Sequence, residues 1–254
     1  MMGDKIKKSA IILAGGKGSR MVSSIPKQYL DLDGRRVLSY SVEAFAKVGM
    51  DRIVLVCGNG LYEGQTERKI CQEILDTYAK ANGAETYLAD GGEERYNSVY
   101  NGLTCLKELN LAGSEAGSNS SQEIVFIHDG ARACVTEKII ESCFEDAIKY
   151  KACVAAVPVK DTIKVGNKDG FSLHTPDRST LWQIQTPQTF DFDTILTAYQ
   201  SMIDDADRGP ITDDAMVLEK YTDIKVKLTM ADYCNIKITT PEDMSIVRLF
   251  VQKK

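Results

Sequence analysis

Short runs of aliphatic and β-branched residues alternate along the chain with longer stretches that carry apolar positions at helical spacing. Residues 10–13 (Ala-Ile-Ile-Leu) read as a strand buried on both faces and are followed at once by glycines. Leu38, Val42, Phe45 and Val48 form a helical stripe, residues 52–57 a second buried strand, and residues 62–81 a helix. Residues 86–88 form a short third strand, and Val99, Leu103 and Leu106 mark the helix after it. Residues 124–127 form a fourth strand ended by His128-Asp129-Gly130. A helix over 137–150 and a fifth strand over 153–157, closed by Pro158, complete the series. This alternation predicts an α/β fold with a doubly wound, mostly parallel sheet.

Two stretches interrupt the pattern. Residues 110–122 are rich in Gly, Ser and Asn and lack apolar periodicity, which predicts a mobile surface insertion. Residues 162–174 hold two alternating segments around Gly166-Asn167-Lys168-Asp169-Gly170, a hairpin signal. A two-stranded ribbon is marginal when isolated, so a second subunit is expected to cover it. The expected organisation is one domain over 1–254, with residues 159–178 as a protruding β-arm and dimerisation element.

Composition narrows the function. At 254 residues the chain buries a sizeable core, and 31 basic against 36 acidic residues leave a net charge of −5. That balance disfavours nucleic acid as a partner, so any anionic ligand must be met by a few local cations. Seven cysteines without a C-x-x-C pair, mostly inside apolar runs, fit thiols in a reducing compartment. Two histidines make a Cys/His zinc site improbable, and no residue is assigned as a metal ligand. The early apolar run is too short for a signal or membrane segment, so the expected location is the cytoplasm, with no membrane partner.

In open α/β sheets, ligands bind beyond the carboxyl ends of the strands. The first such loop, Gly15-Gly16-Lys17-Gly18-Ser19-Arg20, matches neither common phosphate-loop pattern. Met21 replaces the third glycine of G-x-G-x-x-G, and no Gly-Lys-Ser/Thr run occurs. It remains a small-residue loop whose amides can approach an anion, with Lys17 and Arg20 adding charge. Lys27, in Pro26-Lys27-Gln28-Tyr29, can swing back over the same phosphates. The second loop runs from Gly91-Gly92-Glu93 to Ser98 and suits contacts to a base edge or plain helix capping. The third is His128-Asp129-Gly130-Ala131-Arg132, where an aspartate can face a metal-bound phosphate.

Taken in order, the motifs are A-G-G-x-G-x-R-M, P-K-Q-Y, D-G-G-x-x-R-x-x-S-V, H-D-G-A-R, P-V-x-D-T-I-K, L-W-x-I-Q-T-P-Q-x-F, T-D-D-A and N-I-K-I-T-T-P-E-D. The set resembles the 2-C-methyl-D-erythritol 4-phosphate cytidylyltransferase family of non-mevalonate isoprenoid synthesis. The resemblance runs over nearly the whole chain except residues 110–122 and the extreme ends. It implies a Rossmann-like nucleotidyltransferase that joins CTP to a polyol phosphate and releases pyrophosphate. Mg²⁺, held mainly by the CTP phosphates, and a homodimer through the arm are implied with it.

The resemblance also implies roles. Arg20 and Lys27 would stabilise charge at the α-phosphate, with Arg178 and Lys237 orienting the incoming phosphate alongside Thr162. The backbone around Ala14, Gly15 and Gly16, with Gly92, Glu93 and Ser98, would hold CTP and read cytosine. Asp129, Gly130 and Arg132 would line the ribose and polyol side, with Thr186 nearby. Ser19 and Ala133 depart from the usual basic residue and proline of the family, and Lys17 can replace the first lost charge. Three readings compete: a ribitol- or other pentitol-phosphate cytidylyltransferase, a non-catalytic nucleotide-binding module, and a dinucleotide-dependent reductase. Retention of Arg20 and Lys27 argues against the second, and Met21 against the third.

Overall fold

The computed structural model describes residues 5–15, 25–113 and 122–252. Four parallel strands form one side of the central sheet: β1 (Lys7–Leu13), β2 (Arg52–Cys57), β3 (Glu85–Asp90) and β4 (Glu123–Asp129). β5 (Ala152–Pro158) lies further out, and the arm carries the short β6 (Val165–Gly166) and β7 (Ser172–His174). β8 (Trp182–Asp191) and β9 (Lys227–Met230) complete a seven-stranded sheet in the order β9-β5-β8-β4-β1-β2-β3. β8 is antiparallel to both its neighbours, whereas β9 pairs parallel with β5. The mostly parallel doubly wound architecture is therefore as the alternation predicts.

The helices are α1 (Val37–Lys47), α2 (Glu67–Ile74), α3 (Arg95–Gly113), α4 (Glu137–Tyr150), α5 (Phe192–Asp204), α6 (Asp214–Tyr221) and α7 (Pro241–Val251). Successive strand residues point to opposite faces, and the core divides accordingly. Ala10, Ile12, Ile53, Leu55 and Phe126 pack with Leu38, Val42 and Phe45 of α1, Ile70 of α2 and Ile139 of α4. Ile11, Leu13, Val54, Val56 and Ile127 pack with Val99 and Leu103 of α3 and Ile195 and Tyr199 of α5. A third cluster, Leu32, Val37, Cys134, Ile238 and Val247, seats α7 beside the carboxyl end of β4.

Four details differ from the sequence reading. The stretch 62–81 is not one helix. Residues 61–66 form a tight hairpin with Glu63 and Gly64 in the left-handed region (φ 51° and 77°), and Thr66 then caps α2. After Ile74 the chain loosens into a π turn and a 3₁₀ turn that end at Gly83. Residues 110–113 are the last turn of α3 rather than insertion, and the Asn110 side chain bonds Arg52 and Glu123 at 2.6 Å each. The rest of that segment, 114–121, lies outside the described residues. β8 escaped the pattern because Leu-Trp-Gln-Ile-Gln-Thr-Pro-Gln reads as polar. A shift of register between Ile184 and Gln188 accommodates its proline.

Every residue from 160 to 175 is exposed, including Phe171 at 71% and Leu173 at 63%. The arm therefore stands off the domain with its apolar side chains uncovered. Among the described residues no helix is long and apolar enough to cross a membrane.

Candidate active site

The carboxyl ends of β1, β3 and β4 meet around a cavity of about 230 Å³ lined by Gly15, Lys27, Gly92, Glu93, Ser98, Asp129, Gly130 and Lys237, among others. It opens on one side into a space of about 490 Å³ toward Gly58, Tyr62 and Glu67, sharing Gly15, Gly92, Glu93 and Ser98. On the other side it meets a space of about 350 Å³ lined by Arg132, Thr186 and Gln188, sharing Arg95, Asp129 and Lys237. The result is one groove across the strand ends.

Local sequence explains how each side chain reaches the groove. In the 3₁₀ turn Lys27–Tyr29, Gln28 and Tyr29 are buried and both donate to the Ala14 carbonyl, at 2.5 and 3.0 Å. That anchoring leaves Lys27 facing the cavity. Ala14 itself is fully buried, its N–H donates to the Val56 carbonyl at 2.8 Å, and it does not line the three cavities. Gly16, Lys17 and Arg20 lie outside the described residues.

The second loop is held by its own serine. Ser98 Oγ accepts from the Gly92 N–H at 3.0 Å and donates to the Glu94 carbonyl at 3.3 Å. A Cβ on Gly92 would collide with Asn97, so the close turn requires glycine there. At the third loop the Gly130 N–H donates to the Leu13 carbonyl at 3.0 Å, and a Cβ would meet Leu38 and that same carbonyl.

Asp129 is the electrostatic centre. Its carboxylate lies 2.8 Å from Lys237 Nζ, 3.5 Å from Arg95 Nε and 4.0 Å from Arg132 Nε. Burial alone would raise its pKa. Arg95, Lys237 and Arg132 together hold it well below the usual carboxylate range, so Asp129 stays ionised. Thr186 Oγ accepts from the Asp129 N–H at 3.1 Å and pairs with His128 Nδ1 at 3.0 Å, fixing the end of β4. Lys237 is positioned by the Ile238 N–H on the Ala131 carbonyl at 3.0 Å. Asn235, bonded to Gln185, Thr186 and Arg132, braces the same segment.

The sequence reading quoted Arg95 and Asp214 only as letters of motifs. In the fold, the Arg95 guanidinium grips Asp214 with two bonds of 2.7 Å, while Tyr199 OH donates to Asp214 at 2.6 Å. Gln188 Oε1 accepts from the Asp214 and Ala215 N–H groups at 2.9 Å each. Burial disfavours the charge on Arg95, but Asp214 and Asp129 outweigh it and raise its pKa. No linear spacing links two residues 119 positions apart; only the polar, unpatterned T-D-D-A run beside a helix start hinted at a role. Thr162 and Arg178 are not brought to the groove of their own chain. Both are exposed on the arm, and Arg178 donates to the Lys160 carbonyl at 3.0 Å.

His128 makes a pH prediction. It is fully buried, and burial pushes its imidazole pKa down from 6.5 to about 3, against the pull of Asp129. Between those values the unfolded chain binds a proton that the folded chain refuses, so stability rises with pH there. The expected slope approaches about 1.4 kcal/mol per pH unit. Urea unfolding at pH 5.0, 5.5 and 6.0, where most carboxylates are ionised in both states, reads it. A slope unchanged in His128→Gln would refute the assignment.

The family model described as 2-C-methyl-D-erythritol 4-phosphate cytidylyltransferase matches residues 9–253. A protein of that name from Lachnospira eligens is 44% identical over 246 residues, covering 96% of this chain and 99% of its own. One from Caldanaerobacter subterraneus is 41% identical over 246 residues with the same coverage. A crystal structure of 4-diphosphocytidyl-2C-methyl-D-erythritol synthase from Anaerococcus prevotii superposes with a TM-score of 0.77 at 28% identity, covering 97% of this chain and 99% of that one. The Francisella tularensis 2-C-methyl-D-erythritol 4-phosphate cytidylyltransferase gives 0.71 at 27%, covering 96% and 99%. A lysine-lined groove at the strand ends, on this sheet and with these relatives, has one consistent reading: the chain belongs to the 2-C-methyl-D-erythritol 4-phosphate cytidylyltransferase family.

Proposed function

We propose that the chain transfers the cytidylyl group of CTP to 2-C-methyl-D-erythritol 4-phosphate, forming the CDP-linked methylerythritol of non-mevalonate isoprenoid synthesis. The observation that carries this reading is the groove itself, in a member of that family, with Lys27 and Lys237 both lining its central cavity. An oxygen of the polyol phosphate attacks the α-phosphorus of CTP. The bond from that phosphorus to the α,β-bridging oxygen breaks, and pyrophosphate leaves with the electron pair. Two anions must meet, so positioning and fixed positive charge carry the rate, without a covalent nucleophile. Lys27 and Arg20 stabilise the charge growing at the α-phosphate, with Lys17 a lesser contributor. Gly15, Gly92, Glu93 and Ser98 shape the CTP side of the groove, and Gly16, outside the described residues, is assigned to the same role from the sequence. Gly130, Arg132, Thr186 and Lys237 shape the polyol side.

Mg²⁺ fits this residue set as an ion carried by the triphosphate. Among the described residues no group of three or more His, Cys, Asp and Glu could cage a metal, whereas Mg²⁺ commonly needs one carboxylate beside substrate phosphates. Glu93, Glu94 and Asp129 are the carboxylates on the central cavity, and Asp129 is already paired with Lys237 and Arg95, so the phosphates would supply most of the ion's ligands. When bound, the ion would neutralise phosphate charge. The cytoplasm is the proposed compartment, consistent with seven cysteines carried as free thiols.

The test is pyrophosphate release from each of the four nucleoside triphosphates with methylerythritol phosphate or ribitol 5-phosphate. Release should require CTP and be fastest with methylerythritol phosphate. Faster turnover of ribitol 5-phosphate would favour the pentitol reading, and comparable rates with UTP would contradict cytidylyl selectivity.

The arm is proposed to complete the site of a second copy in a homodimer. Its exposed Ile163, Val165, Phe171 and Leu173 lack cover in one chain, and Thr162 and Arg178 do not line the three cavities of their own groove. Lys27→Ala and Arg178→Ala, each inactive alone, are refolded together. With exchanged arms, about half the dimers are mixed and each mixed dimer holds one intact site, so roughly a quarter of wild-type activity returns. A mixture as inactive as its parents, despite demonstrated exchange, would end the shared-site reading.

A further inference from the structure

The turn that carries Lys27 is anchored by Gln28 and Tyr29, and its last carbonyl is met by a cation from a later segment. Arg36 Nη1 donates to the Tyr29 carbonyl at 2.6 Å, while Nη2 donates to Glu63 Oε2 at 3.0 Å. Local sequence puts the guanidinium there. Asp33 and Gly34 turn the chain back so that Arg36 pairs with Asp31, and the next N–H, of Val37, donates to the Leu30 carbonyl at 3.0 Å. Arg36 then stands at the head of α1 without capping it, which leaves its side chain for other partners.

Glu63 is an unusual residue for its place. With φ 51° it opens the two-residue turn Glu63-Gly64 in the left-handed region, where asparagine, aspartate or glycine is the common choice. A strained residue persists where its surroundings hold it there. What glutamate adds over those three is reach, and its carboxylate meets Arg36 from 27 positions away. Tyr62, beside it, lies against Tyr29 with ring centroids 6.0 Å apart and lines the flanking cavity. The hairpin at residues 61–66 therefore meets the Lys27 turn twice, through Tyr62 on Tyr29 and through Glu63 on Arg36. The Arg36 and Glu63 side chains are 27% and 56% exposed, so their ion pair adds little to stability. Its consequence is placement. A planar fork held at both ends fixes the carbonyl it grips, and a small displacement of a catalytic group is costly in rate. We propose that Arg36 is a positioning residue for Lys27, holding the Tyr29 carbonyl while Glu63 sets the angle of its guanidinium. This inference rests on the cytidylyltransferase reading above.

The experiment measures kcat and the KM for CTP, with methylerythritol phosphate as acceptor, in wild type, Lys27→Ala, Arg36→Met, Glu63→Gln and the double variant Lys27→Ala/Arg36→Met. Methionine keeps most of the stem and removes both donors. Arg36→Met should lower kcat about tenfold while the KM for CTP stays within about twofold. Glu63→Gln, which weakens only the outer half of the bridge, should lower kcat about two- to threefold. In the Lys27→Ala background Arg36→Met should cost less than about twofold, because the group it positions is gone. A purely structural role would cost the same factor in both backgrounds, and that result would overturn the inference. Wild-type kcat in Arg36→Met would overturn it equally. Wild type inactive on CTP and methylerythritol phosphate would instead overturn the underlying reading. Should Arg36→Met fail to fold, Arg36→Lys, which keeps the charge but not the fork, takes its place in both backgrounds, and equal losses there count against the inference in the same way.

Discussion

Replacing Lys27 by alanine lowers kcat by about 10²–10³, while the KM for CTP changes much less. The expectation comes from where the side chain is held. Gln28 and Tyr29 are buried and bonded to the Ala14 carbonyl, so the turn that carries Lys27 is anchored and holds that residue on the wall of the central cavity. A charge positioned in advance interacts most strongly where negative charge accumulates during the reaction, so its loss falls on the transition state. Steady-state kinetics of the folded variant check this. A raised KM with unchanged kcat would make Lys27 a binding residue only. Lys237→Ala should also lose rate, together with the Asp129 alignment that its 2.8 Å ion pair maintains.

Asp214→Ala is expected to be the most damaging change outside the residues that meet substrate. Asp214 is fully buried, grips Arg95 through two bonds of 2.7 Å and accepts from Tyr199 at 2.6 Å. Removing Asp214 leaves the part-buried Arg95 with only its 3.5 Å contact to Asp129 and the buried Tyr199 hydroxyl without its acceptor, and costs about 3–5 kcal/mol. For a chain of this size that lowers Tm by roughly 6–20 °C. Arg95 also faces Asp129, so its release disturbs the centre of the groove, and residual activity should fall at temperatures where the variant is still folded. Tyr199→Phe, which keeps the ion pair and leaves one acceptor less satisfied, should cost about 1–2 kcal/mol and retain most of the activity. Calorimetry of the two variants orders them; equal stability would contradict the role given to the pair.

Much of this architecture was legible in the chain. The strands β1, β2, β4 and β5 are runs of aliphatic residues because both their faces are covered, and a run of that kind leaves few alternatives. β8 was illegible for the opposite reason. Gln185, Thr186 and Gln188 are buried polar residues whose partners, Asn235, His128 and Asp214, come from distant segments. The same distinction holds in the site. Glycine loops at strand ends announce an anion site locally, whereas the Arg95–Asp214 pair exists only once α3 and α6 are packed together. The hairpin at residues 61–66 was hidden in the same way, and it starts α2 later than the periodicity suggests. At Ala14 the fold adds internal bonds the sequence does not announce, from its N–H to Val56 and to its carbonyl from Gln28 and Tyr29.

The most direct measurement follows phosphorus. Wild-type protein is incubated with CTP, Mg²⁺ and 2-C-methyl-D-erythritol 4-phosphate, and the products are read by ³¹P NMR. The account requires a new diphosphate bridge between CMP and methylerythritol, with one inorganic pyrophosphate formed for each bridge. Release of single inorganic phosphate, or unchanged spectra of both substrates in the presence of folded protein, would contradict it.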